Sequence, residues 1–86
     1  MTTILHDTTE HKFYIIFPEG EAHLSYAVVD EKTLDFYSTF VPPELRGGKI
    51  AQMLVKAGFD YAKANHYDVI PSCPYVQLYL ERYSHE

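Results

Sequence analysis

The 86 residues suffice for one small domain and are too few for two, so we expect a single domain over residues 1–86. Apolar residues make up 47%, enough for a core without metals or disulfides, and the single Cys73 excludes an intramolecular disulfide framework and favours a reducing, cytoplasmic setting. The net charge of −5 argues against a nucleic-acid partner, and no segment approaches the about 20 apolar residues of a membrane helix.

The first half of the chain predicts three antiparallel strands. Lys12–Phe17 is β-branched and aromatic, and the turn Pro18–Glu21 follows it. Ala22–Val29 and Thr33–Val41 alternate between apolar and polar positions, as half-buried strands do. Their apolar sides would be Ala22, Leu24, Tyr26 and Val28 in one strand and Leu34, Phe36 and Phe40 in the other. The short connection Asp30–Lys32 predicts a hairpin, and the three strands together form a meander.

The second half changes to a helical period. A helix is predicted over Gly48–Ala64, ended by Asn65 in a left-handed conformation. Its apolar stripe would consist of Ile50, Leu54, Ala57, Gly58 and Tyr61, widened by Ala51, Val55 and Ala62. Asp68–Pro71 predicts a short buried strand. Pro74 suits the first turn of a second helix, capped by Ser72 or Cys73. Val76, Tyr79, Leu80 and Tyr83 would lie on one face of that helix.

The predicted order is therefore β-β-β-α-β-α. A strand–helix–strand unit over Thr33–Pro71 should be a right-handed crossover that places the last strand parallel to the third. We expect an α/β fold of α+β-like character, in which an antiparallel meander and a parallel last strand are packed against the helices.

A glycine turn before the first helix is the most informative motif. Gly47 and Gly48 can adopt positive φ, and the helix behind them directs its unpaired amides into the turn. Arg46 and Lys49 add positive charge, so a diphosphate would be the natural ligand. The alternative is a tight strand-to-helix turn that binds nothing.

Two motifs together resemble one family. The segment Val41-Pro-Pro-Glu-Leu-Arg-Gly-Gly-Lys-Ile-Ala51, the helix after it and then Val69-Ile-Pro-Ser-Cys-Pro-Tyr75 resemble the GNAT superfamily of acetyl-coenzyme A-dependent N-acetyltransferases, in its minimal single-domain branch. The resemblance runs from about Phe13 to Arg82. It implies a small GNAT fold that transfers an acetyl group from acetyl-CoA to a primary amine of a small molecule or peptide.

The resemblance also implies where the cofactor would lie. Two strands would splay apart to admit it, with Phe40 and Val41 beside the pantetheine arm. The pyrophosphate loop would comprise Arg46, Gly47, Gly48, Lys49, Ile50 and Ala51. The thioester end of the cofactor would contact Cys73, Pro74, Tyr75 and Tyr79. The family usually reads Arg-Gly-x-Gly-Ile-Ala here, whereas this chain has Lys49 at the second glycine position. The lysine side chain would either pair with phosphate or crowd the cofactor.

Candidate catalytic residues follow from the same resemblance. Cys73, at a helix start, could act as a nucleophile, with an inert buried thiol as the alternative. Tyr79 could protonate the departing thiolate, or it could be a core aromatic residue. A backbone N–H near Phe40 or Val41 would polarise the carbonyl. The general base is left open among His23, Asp35, Glu44 and His66.

Two departures from the branch weaken the case for catalysis. The branch often carries histidine where this chain has Ser38, and Arg-His-Pro where it reads Arg82-Tyr-Ser84. A non-catalytic module that binds CoA or a protein partner is therefore the alternative function. The acidic surface fits either an amine-bearing partner or ordinary solubility. We expect no metal, because the five histidines lack ligand spacing. We also expect no membrane contact. The oligomeric state is left open, and a monomer is favoured.

Overall fold

A five-stranded mixed sheet with two helices forms the protein, and the computed structural model describes residues 3–83. The elements are β1 (Leu5–Asp7), β2 (Lys12–Phe17), β3 (Gly20–Asp30), β4 (Thr33–Phe40), a 3₁₀ turn (Pro43–Leu45), α1 (Ile50–Ala64), β5 (Asp68–Ile70) and α2 (Pro74–Tyr83). The strands lie in the order β1-β2-β3-β4-β5, the first four antiparallel and β5 parallel to β4. The predicted meander, parallel last strand and small α+β fold are confirmed.

The first strand, β1, was not predicted from the sequence, so the element order is β-β-β-β-α-β-α. It pairs with β2 through a turn that contains neither glycine nor proline. The Asp7 carboxylate builds this turn by accepting hydrogen bonds from the N–H groups of Thr9 and Glu10, both at 2.9 Å. His11 completes it with a φ of 57°. Such a side-chain-built turn replaces the usual Gly or Pro signal.

One core joins the sheet to both helices. The sheet contributes Phe13, Ile15, Ala22, Leu24, Tyr26, Leu34 and Phe36, and the helices contribute Leu54, Val55, Ala62 and Val76, all of them buried. Helix α1 begins at Ile50, two residues later than predicted. At Gly58 it approaches the sheet so closely that an added Cβ would lie 2.8 Å from Leu24 Cδ2. The absence of a side chain there lets α1 sit directly on the sheet.

A β-bulge changes the faces of β4. Tyr26 pairs with Phe36 but Ser25 pairs with Ser38, which leaves Tyr37 without a partner on β3. Alternation restarts after the extra residue, so Phe40 lies on the opposite face from Phe36. Phe36 is fully buried, whereas Phe40 is 41% exposed. The prediction that both share one face was wrong because alternation alone cannot reveal a bulge.

The second half differs from prediction in two places. Asn65 has φ −108° and is not left-handed; His66, with φ 61°, takes that conformation one residue later. The Asn65 amide instead donates to the carbonyl of Tyr61 at 2.9 Å. Strand β5 was expected to be buried, but Ile70 is 42% exposed because β5 is an edge strand. Neither helix of the described chain is long and apolar enough to span a membrane.

An aromatic cluster holds β1 against the C-terminal half of α1. His6 Nε2 and the Tyr26 hydroxyl are hydrogen-bonded at 2.6 Å, and the His6 ring stacks on Phe13 with centroids 4.1 Å apart. Tyr61 of α1 meets the same imidazole edge-on at 4.5 Å. Burial lowers the pKa of His6 and raises the pKa of Tyr26 to about 12. The fold therefore favours the neutral form of both rings.

Candidate functional site

A cleft lies between the segment that follows β4, the start of α1 and one face of α2. Strand β4 pairs with β5 only over Thr33–Asp35 against Asp68–Ile70, and the rest of β4 has no β5 partner. After β4 the chain turns through Pro43–Leu45 into the glycine segment and α1. The cleft has a volume of about 320 Å³. Its walls are formed by Val41, Leu45, Arg46, Gly47, Gly48, Ile50, Ala51, Gln52, Tyr75 and Arg82.

The glycine segment has the form of an anion-binding turn. Gly47 has a φ of 92°, whereas Gly48 does not use the positive φ that the sequence would permit. Lys49 caps α1 without a side-chain hydrogen bond, and the first helical bond runs from the N–H of Met53 to its carbonyl. The three amides before Met53 thus have no carbonyl of α1 to bond to. All three belong to residues that line the cleft.

Arg46 is fixed beside this turn. Its Nε donates to the carbonyl of Val41 at 2.9 Å, and its Cζ lies 5.8 Å from the centroid of the Phe40 ring. A guanidinium within about 6 Å of an aromatic centroid gains cation–π attraction, and its remaining N–H groups stay available to a ligand. The side chain is therefore held in place before any ligand arrives.

The cleft brings together part of the predicted contact set. Its walls include Val41, Arg46, Gly47, Gly48, Ile50, Ala51 and Tyr75, but not Phe40, Lys49, Cys73, Pro74 or Tyr79. Lys49 is exposed outside the walls, so its side chain does not crowd the cleft. Phe40 lies on the other sheet face, under Arg46, because of the bulge. Pro74 is an exposed residue at the start of α2.

Tyr79 packs between the helices. Its ring stacks on Phe59 of α1 with centroids 5.8 Å apart, and the Tyr83 ring lies 4.8 Å away. Phe59 in turn contacts Phe36 of β4 at 5.3 Å. This arrangement is that of a partly buried packing residue, and the ring belongs to the seam that joins α2 to α1.

Cys73 immediately precedes α2 and belongs to the buried core. It is 6% exposed, its N–H donates to the carbonyl of Phe36 at 2.9 Å, and its Sγ lies 3.4 Å from the Thr39 hydroxyl. Burial alone would raise the pKa of the thiol. Hydrogen bonds from the Thr39 hydroxyl and from the backbone of Val76, Tyr75 and Thr39 outweigh burial and lower this pKa.

None of the four candidate bases lines the cleft. The His23 ring stacks on Phe40 at 5.7 Å, with its Nδ1 3.3 Å from a Glu21 carboxylate oxygen. Asp35 buries Oδ1 without a hydrogen-bond partner among the described residues. Glu44 lies exposed in the 3₁₀ turn and His66 is exposed beyond α1. Ser38 is exposed on β4, and Ser84 lies outside the described residues.

Three residues of the cleft were not predicted as contacts, namely Leu45, Gln52 and Arg82. For Arg82 a signal existed, since it follows Tyr75 by seven positions and two helical turns bring such residues to one face. Across residues 3–83, no group of three or more His, Cys, Asp or Glu side chains is arranged to hold a metal ion.

Comparisons with known proteins agree on one family. A family model described as GCN5-related N-acetyl-transferase matches residues 12–86. Protein NATD1 of Danio rerio is 32% identical over 82 residues, covering 93% of this chain and 74% of the relative. Protein NATD1 of Xenopus tropicalis is 32% identical over 78 residues, with coverages of 88% and 72%. The NMR solution structure of a GCN5-like protein from Staphylococcus aureus superimposes with a TM-score of 0.73 at 32% identity, covering 93% of this chain and 78% of that one.

Proposed function

Because the chain belongs to the GCN5-related N-acetyltransferase family, we propose that it transfers an acetyl group from acetyl-CoA to a primary amine. Membership supports acetyl transfer in general, and this fold family generally binds acetyl-CoA. The observation that carries the proposal for this chain is the cleft, in which a positive-φ glycine, unpaired helix amides and a fixed arginine converge. The acceptor would be a small molecule or a peptide.

The residues of the cleft fit the phosphates of acetyl-CoA. The pyrophosphate would be held by the backbone of Gly47 and Gly48, the amides at the start of α1 and the Arg46 guanidinium. The side chains of Val41 and Tyr75 would line the path of the pantetheine arm. The end of β4 beyond its pairing with β5 would supply an N–H, near Phe40 or Val41, that would polarise the reacting carbonyl.

Two routes are open for the acetyl group. In the direct route the neutral amine attacks the thioester carbonyl, and the C–S bond breaks to release CoA as its thiolate, which takes up a proton. In the second route the Cys73 sulfur gives up its proton and attacks the thioester carbonyl, and the C–S bond to CoA breaks to release the CoA thiolate, which takes up a proton. The amine then attacks the Cys73 thioester, loses a proton, and releases the Cys73 sulfur. The lowered pKa of the Cys73 thiol and its contact with Thr39 support the second route.

The test combines binding with turnover. Calorimetric titration of acetyl-CoA should give saturable binding, and release of free CoA should depend on an added amine from a panel of small amines and peptides. Turnover lost in Cys73→Ala supports the covalent route, whereas turnover retained there supports direct transfer. For Tyr79, Tyr79→Phe would lower turnover only if the phenol protonates the leaving group. Absence of any acetyl-CoA binding contradicts the proposal.

A non-catalytic module of the same fold is the second candidate function. The observation that favours it is that no candidate base lines the cleft among the described residues. Such a module would bind CoA or a protein partner and show no amine-dependent CoA release. Measurable turnover that depends on Cys73 or Tyr79 would eliminate it.

We further propose a cytoplasmic location and a monomeric state. The only cysteine is a free thiol, which fits a reducing compartment. No metal is needed for the proposed chemistry, and we propose neither a nucleic acid nor a membrane as a partner.

A further inference from the structure

Both arginines of this chain line the same cleft. The sequence contains Arg46 and Arg82 only, and they reach the cleft from different elements, Arg46 from the turn before α1 and Arg82 from α2. Among residues 3–83 no acidic residue lines the cleft, although the chain carries 12 Asp and Glu against 7 Lys and Arg. An electropositive cleft in an acidic protein concentrates an anionic ligand at that place.

Arg82 reaches the cleft from the same face of α2 as Tyr75. It follows Tyr75 by seven positions on α2, so the two side chains lie on one helix face, ~10 Å apart along its axis. Burial and the neighbouring Tyr83 raise the pKa of Tyr75, and Arg82 acts against them, as a nearby positive charge does. The guanidinium therefore lies within electrostatic reach of the Tyr75 phenol, on the wall that α2 forms.

Arg82 is also uncommitted. The described residues offer its guanidinium neither an ion pair nor a hydrogen bond, whereas Arg46 already donates to the carbonyl of Val41. Lys49, the other cation near the turn, does not line the cleft. A planar guanidinium with free N–H groups matches two phosphate oxygens at once, which an ammonium group cannot do.

We propose that Arg82 is a second phosphate-binding residue, which holds a phosphate group of CoA from the α2 side while the glycine turn and Arg46 hold the other side. The inference rests on the proposed CoA site and adds a residue to it. It makes the cleft selective for CoA over pantetheine thioesters that carry no phosphate. The group that Arg82 binds is either the pyrophosphate or the 3′-phosphate of CoA.

The experiment compares wild type, Arg82→Gln, Arg82→Lys and the control Lys63→Gln. Lys63 is an exposed cation at the far end of α1, so its loss changes the net charge equally without touching the cleft. Calorimetry with CoA should show a dissociation constant raised about tenfold in Arg82→Gln, less in Arg82→Lys, and by under about twofold in Lys63→Gln. Thermal melts verify that the variants fold. If Arg82→Gln does not fold, the weaker binding of CoA by Arg82→Lys tests the inference instead.

Two further ligands identify the phosphate. If Arg82→Gln loses affinity for CoA but not for dephospho-CoA, Arg82 binds the 3′-phosphate. If it loses affinity equally for both ligands, Arg82 binds the pyrophosphate. Either outcome supports the inference. Pantetheine should bind equally to wild type and Arg82→Gln. Wild-type affinity for CoA in Arg82→Gln overturns the inference alone. A wild-type protein that binds no CoA overturns the proposed function and this inference together.

Discussion

Replacing Gly58 with alanine should destabilise the protein, although alanine is the better helix former. The new Cβ would lie 2.8 Å from Leu24 Cδ2, 2.9 Å from Phe36 Cε2 and 3.1 Å from Phe36 Cζ. Both neighbours are 0% exposed, so neither can move into free space. Alanine gains about 1 kcal/mol of helix propensity, and overpacking a core costs about 1–3 kcal/mol. With two contacts below 3 Å, we expect a net loss of about 1–2 kcal/mol.

Urea unfolding of the free protein measures this loss directly. In a thermal melt, a loss of this size should lower the midpoint temperature by about 4–16 °C in a domain of this length. Gly48→Ala is the matched control, because its Cβ would meet only the Leu45 carbonyl at an ordinary 3.7 Å. We expect that control to be neutral or stabilising by up to about 1 kcal/mol. A Gly58→Ala protein as stable as wild type would show that α1 does not sit this close to the sheet.

Three further variants and the acid stability profile of the wild type test other features of the structure. Gly47→Ala should lower the free energy of unfolding by about 1–2 kcal/mol, because alanine is strained at a φ of 92°. The added Cβ itself would meet no atom within 4 Å, so crowding does not contribute. Urea unfolding measures the loss, and an unchanged midpoint would contradict the prediction. Because folding raises the pKa of Tyr26 to about 12, wild-type stability should fall as the pH rises from 10 toward 12, and Tyr26→Phe should lack this component in pH-resolved melts. Folding lowers the pKa of His6, so stability should fall as the pH drops below about 6.5, and a flat acid profile would refute this. If Cys73 carries the acetyl group, Thr39→Val should raise the thiol pKa and move the acid limb of the pH–rate profile to higher pH, whereas an unmoved limb would exclude a Thr39-assisted thiolate.

Periodicity predicted the elements that pack on one another. The strand Lys12–Phe17 and the helix ending at Ala64 have the bounds that their apolar patterns indicated, within two residues. These patterns exist because one face of each element is buried, so apolar residues recur at the period of the strand or of the helix. Pro74 likewise marked the start of α2, since proline lacks the N–H that a first helical turn leaves unpaired.

The remaining features depend on events that leave no periodic trace. The bulge at Tyr37 reverses the face of Phe40, and its signature is a pairing register between two strands, not a property of either. Strand β1 is three residues long and its turn is built by the Asp7 side chain, so the Gly and Pro signals were missing. The seven-residue spacing does place Arg82 on the helix face of Tyr75, but that this face meets the cleft depends on how α2 packs beside the start of α1, which is a tertiary arrangement.

Titration of acetyl-CoA, followed through backbone amide chemical shifts, shows whether the cleft binds this ligand. We expect saturable shifts concentrated at residues 46–52 and Tyr75, with smaller changes at Cys73 and none in the turn Asp30–Lys32 at the other end of β4. Shifts absent from residues 46–52, or confined to the exposed sheet face around Ile16, would contradict it.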